Sequence, residues 1–288
     1  LDKAIRLASW AFLFVLISQL GFLATVNLAT RAGIAAEAAG INYGVGYTPY
    51  ANAYLILLLP HSIVTISIVT ATLPRLSTFV LDKKLDEVRG LLGSALRYIG
   101  IVTVPASLFF LFFGGKVAES LFFGIPDESA LYIGRVLSAM ALGLIPLSIN
   151  LVLIRGLNAF DNTKYQVVSN VVINVVAVGL SLVAYFSLDS ADVTYGLALA
   201  FTVSYWLGII ATYFLTKRYT GALEIGKITR FYFKVGAAAL IAVACVAFVA
   251  DRLDLPGNVL SLVGVLIATS LIYVFVARAM KISEVGQT

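Results

Sequence analysis

Residues 50–77, YANAYLILLLPHSIVTISIVTATLPRLS, decide the fold. From Ala51 to Leu73 the stretch is dominated by Leu, Ile, Val, Ala and Thr. A helix rising about 1.5 Å per residue crosses ~30 Å of hydrocarbon in ~20 residues, so this stretch is long enough to span a bilayer. Inside lipid no water is present to satisfy the backbone, and a helix satisfies it internally. Strands of a membrane barrel would alternate lipid-facing and lumen-facing residues, and this stretch does not.

Similar windows recur, eight in all, at roughly 7–29, 51–73, 92–113, 132–154, 166–187, 193–216, 232–250 and 257–278. Hydrophobic residues make up 60% of the chain, charged residues 12%, and the mean hydropathy is +0.98. An ordinary soluble domain has roughly a quarter charged residues, so the apolar excess needs lipid as its solvent. The expected fold is an all-α, polytopic transmembrane helix bundle of about eight helices.

The positive-inside rule orients it. With alternate loops assigned to one side, 16 of the 20 basic residues share that side, among them Lys3, Arg75, Lys83, Lys84, Arg155, Lys217, Arg218, Lys227 and Lys281. Only Arg31, Lys116, Arg135 and Arg252 fall on the other, which holds eight acids from Glu37 to Asp254. Both chain ends are therefore expected in the cytoplasm. The pI of about 9.2 follows from this bias and from attraction to anionic lipid head groups, and calls for no nucleic acid. The chain starts at Leu1 and its first apolar window lacks a small-residue cleavage site, so it is expected to be a piece of something longer and not to begin with a signal peptide.

No HExxH, CxxC, P-loop or GxSxG occurs, and no carboxylate pair lies within a window, so the pattern points away from metal or nucleophilic catalysis. The single Cys245 is expected to be a packing residue. Residues 31–50 form a small-residue, Gly-rich outer loop in this reading, and 251–256 a tight one. Leu81, Leu85, Val88, Leu92 and Leu96 recur at helical spacing, which suits either an amphipathic helix in the interface or one packed on its neighbours' cytoplasmic ends. Residues 217–230 form a basic linker setting the last two helices apart, hence a division into 1–226 and 227–288.

Polar side chains in hydrocarbon are expensive and normally face a bundle interior or a water-filled cavity. The first window carries Ser18, Gln19, Thr25 and Asn27; the second carries Asn52, Tyr54, His61, Ser62, Thr65, Ser67 and Thr70. Tyr54, Leu58, His61 and Thr65 share one helical face, a candidate cavity lining. His61 could relay a proton or donate to an anion, or it could be a neutral ring hydrogen-bonded to a neighbouring helix. Arg155, after the fourth window, could meet an anionic head group, or anchor at the interface and pair with Asp161. Pro60, Pro105 and Pro146 deprive the Ile56, Ile101 and Leu142 carbonyls of their helical donors. The candidate cavity set is thus Gln19, Asn27, Asn52, Tyr54, His61, Thr65 and Arg155.

Two segments carry a family resemblance. Residues 50–77 resemble the eighth helix of the MurJ (MviN) lipid II flippases, with an aromatic residue, Leu-Pro, a β-branched stretch, then Leu-Pro-Arg-Leu-Ser. Residues 152–164, VLIRGLNAFDNTK, are similar to the segment that follows the family's tenth helix. The chain departs from the family at Asn52 and Ala53, where many members carry an acidic-basic pair, and at Lys164-Tyr165, where they carry Thr-Pro.

The resemblance implies the second six-helix lobe and final helix pair of a fourteen-helix, two-lobe flippase in the bacterial cytoplasmic membrane. The missing first lobe of the same protein would be its partner, and membrane lipids its surroundings. The implied substrate is lipid II, the undecaprenyl-linked peptidoglycan precursor, moved from inner to outer leaflet by alternating access. Helices 232–250 and 257–278 resemble the pair that builds a groove for the lipid tail. No cofactor is implied, and the drive would come from the membrane potential or an ion gradient. The Leu-Pro-His wording is similar to actinobacterial members, in which a cytoplasmic regulatory domain follows the last helix. The rival expectations are an ion-coupled exporter of the multidrug type and a non-transporting scaffold for cell-wall enzymes.

Overall fold

The structure is a computed structural model and describes residues 2–160, 163–253 and 256–282. Helix α1 spans Asp2–Ala38, α2 Tyr47–Pro60, a π-helical turn His61–Thr65, and α3 Ile66–Leu81. They are followed by α4 (Leu85–Leu121), α5 (Asp127–Ala141), α6 (Leu144–Ala159), α7 (Thr163–Ser187), α8 (Ser190–Thr220), α9 (Ile225–Arg252) and α10 (Val259–Ala279). Counting α2 to α3 as one, seven helices among the described residues are long and apolar enough to cross a membrane. The pair α5 and α6, bent by 47° at its break, is together long and apolar enough to make an eighth when it is counted as one span.

Three loop expectations need correction. Residues 31–38 continue α1, because Ala-rich IAAEA has strong helix propensity, and the outer loop shrinks to 39–46. Residues 217–220 end α8 and α9 begins at Ile225, so the linker is only 221–224, Gly-Ala-Leu-Glu, and the basic residues expected in it belong to the two helices. The amphipathic stretch from Leu85 is no separate helix: it forms the first turns of α4, and Val88, Leu92 and Leu96 pack in a core with Val69, Leu76 and Leu153. Of the two readings, packing on the neighbours' ends holds.

The helix ends explain themselves. Asp127 and Glu128 sit in the first turn of α5, and Lys217 and Arg218 in the last turn of α8, each complementing the helix dipole. Asn258 caps α10, its Oδ1 accepting from the Ser261 N–H at 2.8 Å. Gly221 ends α8 at φ +80°, and the Arg89 guanidinium donates to the Thr220 carbonyl at 2.8 Å, tying the start of α4 to the end of α8.

Helices α4 and α5 approach so closely that a Cβ on Gly134 would stand 2.5 Å from the Gly115 Cα and 2.6 Å from the Gly114 carbonyl oxygen. Small residues permit this contact, which matters in a membrane because packing and not hydrophobicity holds helices together. Helices α9 and α10 dock on α4 through Val104, Val235, Ala238, Ala239, Ala242, Tyr273 and Ala277. Helix α1 packs on α8 through Leu28, Ala29, Ala32 and Leu197. Cys245 is exposed on α9, so it is not the packing residue expected of it.

Candidate functional site

The seven candidate cavity residues fall into two sets. Tyr54, His61 and Thr65 turn into the lobe: the Tyr54 ring meets Phe201 of α8 edge-on at 5.6 Å, and His61 Nδ1 lies 2.9 Å from Ser148 Oγ of α6. His61 is 7% exposed and Thr65 fully buried, with the Thr65 hydroxyl unpartnered among the described residues. Of the two readings of His61, the ring bonded to a neighbouring helix is the one this geometry matches. Gln19, Asn27 and Arg155 are exposed, while Asn52 is half-buried. Asp161, the expected partner of Arg155, lies outside the described residues.

Besides Gln19 and Asn27 on α1, the exposed polar side chains include Ser62, Ser67, Thr70, Arg75 and Thr78 of the π-turn and α3. The hydroxyls of Ser67 and Thr78 bond back to the carbonyls of Ile63 and Pro74, four residues earlier. Ser18 of α1 faces inward instead. The Asn170 amide donates to Ser18 Oγ at 2.9 Å and to the Phe14 carbonyl at 3.0 Å, and Asn174 bonds to Asn170. Asn150, Ser169 and Thr212 likewise join α6, α7 and α8, so these groups hold helices together.

The proline sites are where the sequence reading and the geometry meet. The Ile101 carbonyl, freed by Pro105, accepts from the Tyr273 hydroxyl of α10 at 3.0 Å. The Leu142 carbonyl, freed by Pro146, accepts from the Trp206 indole N–H of α8 at 3.2 Å. Pro146 therefore produces a full break at Leu142–Gly143 instead of a mid-span kink. Gly143 fits because a Cβ there would stand 2.8 Å from the Phe201 ring. Two further donors secure this break: Ser107 Oγ to the Ala141 carbonyl at 2.7 Å and Thr202 Oγ1 to the Ala139 carbonyl at 2.8 Å.

Sequence reasoning named the freed carbonyls but neither the tyrosine nor the tryptophan that fills them. It also missed the π-turn after Pro60, where the Ile66 N–H bonds to the His61 carbonyl.

The second feature is an apolar groove of about 830 Å³ walled by α4, α6, α8 and α9. Leu96, Val104 and Leu108 form one side, Ile145, Ile149 and Leu153 the floor, Trp206, Ile210 and Tyr213 the other side, and Tyr232, Phe233 and Leu240 the α9 wall. The Tyr232 hydroxyl is taken up by the Leu96 carbonyl at 2.8 Å, which leaves the walls almost wholly hydrocarbon. The groove lies along the first half of α9, from Ile225 to Leu240, at the end of the bundle that carries Lys217, Arg218 and Lys227.

A family model described as lipid II flippase MurJ matches residues 1–279. The chain belongs to the MurJ family. Among solved structures, the fold is similar to one described as lipid II flippase MurJ in an inward closed conformation, with a TM-score of 0.72 at 20% identity. The alignment covers 93% of this chain and 52% of that one, so the chain spans about half the length of the structure it matches. The MurJ fold accounts for the element order found here, with the groove lying between α9 and helices that precede it in the chain.

Proposed function

We propose that this chain is the lobe-and-groove half of a transporter that moves lipid II from the inner to the outer leaflet of the bacterial cytoplasmic membrane. Both chain ends face the cytoplasm in this reading, since the basic loops lie at that end. Six crossings, with α2 to α3 and α5 to α6 each counting as one, make the lobe from α1 to α8, and α9 with α10 makes the pair that closes the groove. The protein works as a flippase and not as an enzyme.

The physical task is to carry a charged, sugar-bearing head through hydrocarbon. An unpaired ion in such a medium costs tens of kcal/mol by Born solvation, so the head needs a polar path. Gln19, Asn27 and Asn52, with the exposed hydroxyls of the π-turn and α3, would line one wall of it, and Arg155 would meet the pyrophosphate at the cytoplasmic mouth. His61 and Thr65 would act from behind that wall. The tail, by contrast, leaves lipid for protein and gains nothing from the hydrophobic effect, so its site has to work by shape. The apolar groove walled by α4, α6, α8 and α9 is the observation that carries the proposal, because it offers the tail an almost wholly hydrocarbon surface separate from the polar side chains of α1 and α3. Work would come from the membrane potential or an ion gradient.

Depletion of the full protein in cells, followed by measurement of lipid II exposed on the outer surface, tests this. Loss of exposure, restored by the intact protein, is expected. Unchanged exposure with altered drug efflux would instead indicate a multidrug-type exporter, and no change in either a scaffold.

A further inference from the structure

The break between α5 and α6 is held by three side-chain donors, and they differ in one respect. Ser107 and Thr202 are buried, at 0% and 8% exposure, whereas Trp206 is 41% exposed and forms part of the groove wall. Its indole N–H holds the one carbonyl at the break that Pro146 leaves without a helical donor. The same side chain, lining the groove, is open to whatever occupies it. Ile145 and Ile149, which follow the break on α6, line the groove too. Between them stands Ser148, bonded to His61 in the π-turn that leads into the polar face of α3.

We infer that Trp206 is a positioning residue that couples occupancy of the groove to the bend of the α5–α6 span. The inference rests on the reading of the groove as a tail site. An apolar chain packed on the indole and on Ile145 and Ile149 holds the ring against the Leu142 carbonyl and fixes the bend. With the groove empty, the ring turns away more readily and the two half-helices gain freedom about Gly143. The bend then passes to the π-turn through the Ser148–His61 contact, so that tail binding biases the helix bearing the polar wall. A coupling of this kind requires a two-state element that both sites bias, and the inference gives that part to the broken span, bent by 47°, with its proline-freed carbonyl.

The test uses the full protein in nanodiscs, with spin labels on Glu128→Cys and Ala159→Cys in a background whose other cysteines are serine. The distance between them reports the bend. The probes are undecaprenyl diphosphate, whose chain is long enough to fill the groove, and geranyl diphosphate, which carries the same head on a short chain. In the parent, the long-chain probe shifts and narrows the distance distribution and the short-chain probe does not. In Trp206→Phe, which keeps an apolar wall but loses the N–H, the long-chain probe binds with affinity changed less than about tenfold. The shift disappears, and lipid II turnover falls between about threefold and about eighteenfold, the range set by single membrane hydrogen bonds. Thr202→Val removes a donor at the same break outside the groove, and it retains the response to the long chain. A Trp206→Phe protein that responds as the parent does overturns the inference while leaving the groove intact. Equal loss of response in Thr202→Val also overturns it, because any damage to the break would then suffice. Failure of the long-chain probe to bind the parent more tightly than the short one removes the tail reading itself, and the inference with it.

Discussion

The proline-freed carbonyls give the sharpest energetic prediction. Tyr273→Phe in the full protein removes one hydroxyl from a ring that is 6% exposed, leaving the packing of α10 on α4 otherwise unchanged. What it strips is the only side-chain donor found on the Ile101 carbonyl among the described residues, 3.0 Å away, on a group that Pro105 has already cut off from the backbone ladder. Interhelical hydrogen bonds in membranes average about 0.6 kcal/mol and reach about 1.7. A carbonyl with no alternative donor belongs at the upper end, so a cost of about 1.5 kcal/mol is expected, roughly tenfold in the folded-to-unfolded ratio. Pro105→Ala supplies a backbone N–H to the same carbonyl, and in that background Tyr273→Phe should cost less than about 0.5 kcal/mol. Tyr232→Phe is the control: its partner, Leu96, has Gly100 as helical donor, so its cost should be the same in both backgrounds. Unfolding in bicelles, followed by steric trapping or detergent titration, measures the single and double variants against the parent. If Tyr273→Phe costs as much in the Pro105→Ala background as it does in the parent, the hydroxyl is not substituting for a missing helical bond and the account of this docking contact is wrong.

Other outcomes follow from single contacts. Gly134→Ala should destabilise by about 1–3 kcal/mol, since the methyl would stand 2.5 Å from Gly115 Cα and must force α4 and α5 apart; an unchanged unfolding midpoint would contradict the close crossing. Arg89→Ala should cost about 1 kcal/mol and raise hydrogen exchange at the end of α8, because the Thr220 carbonyl loses its cap; exchange confined to α4 would argue against that link. His61→Ala is expected to lower lipid II exposure more than it lowers protein abundance, as it cuts the contact from the π-turn to Ser148; full complementation of a depletion strain would remove His61 from the mechanism. An impermeant lysine reagent applied to intact cells should fail to reach Lys83 or Lys227, and labelling of either from outside would invert the topology.

The crossings were legible because each is a continuous apolar run with charged residues at its ends, and the windows near 92–113 and 166–187 lie wholly inside α4 and α7. Boundaries failed where composition is ambiguous: the Ala-rich end of α1 looked like loop, and the basic turns at Lys217 and Lys227 looked like linker. Helix propensity carries α1 through its Ala-rich end, and Lys217 and Arg218 complement the dipole at the C-terminus of α8, whereas Lys227 sits near the N-terminus of α9, where the dipole does not favour it. The amphipathic spacing after Leu81 was visible, but what its apolar face touches depends on Val69 and Leu153, which are distant in sequence.

The candidate site was only partly legible. A shared face of Tyr54, Leu58, His61 and Thr65 can be read from helical spacing, yet whether that face meets a cavity or the lobe's own core depends on where α6 and α8 pack. The π-turn left no mark beyond Pro60, since its register shift requires no recognisable residue. The groove left none either, because four separate helices contribute its walls and each contributes ordinary Leu, Ile and Val. Pro105 and Pro146 announced two backbone carbonyls in need, but the donors, Tyr273 and Trp206, are 168 and 60 residues further along the chain and carry no local signature.

The central claim is that the full protein gives the head group of lipid II a polar route through the bilayer. The direct measurement is the rate at which fluorescent lipid II becomes accessible to an impermeant reagent in proteoliposomes containing the purified full protein, with an imposed membrane potential or ion gradient. The account predicts movement well above that in protein-free vesicles, slowed by filling the groove through Gly236→Phe on α9. Movement no faster than in protein-free vesicles under every imposed gradient would contradict it.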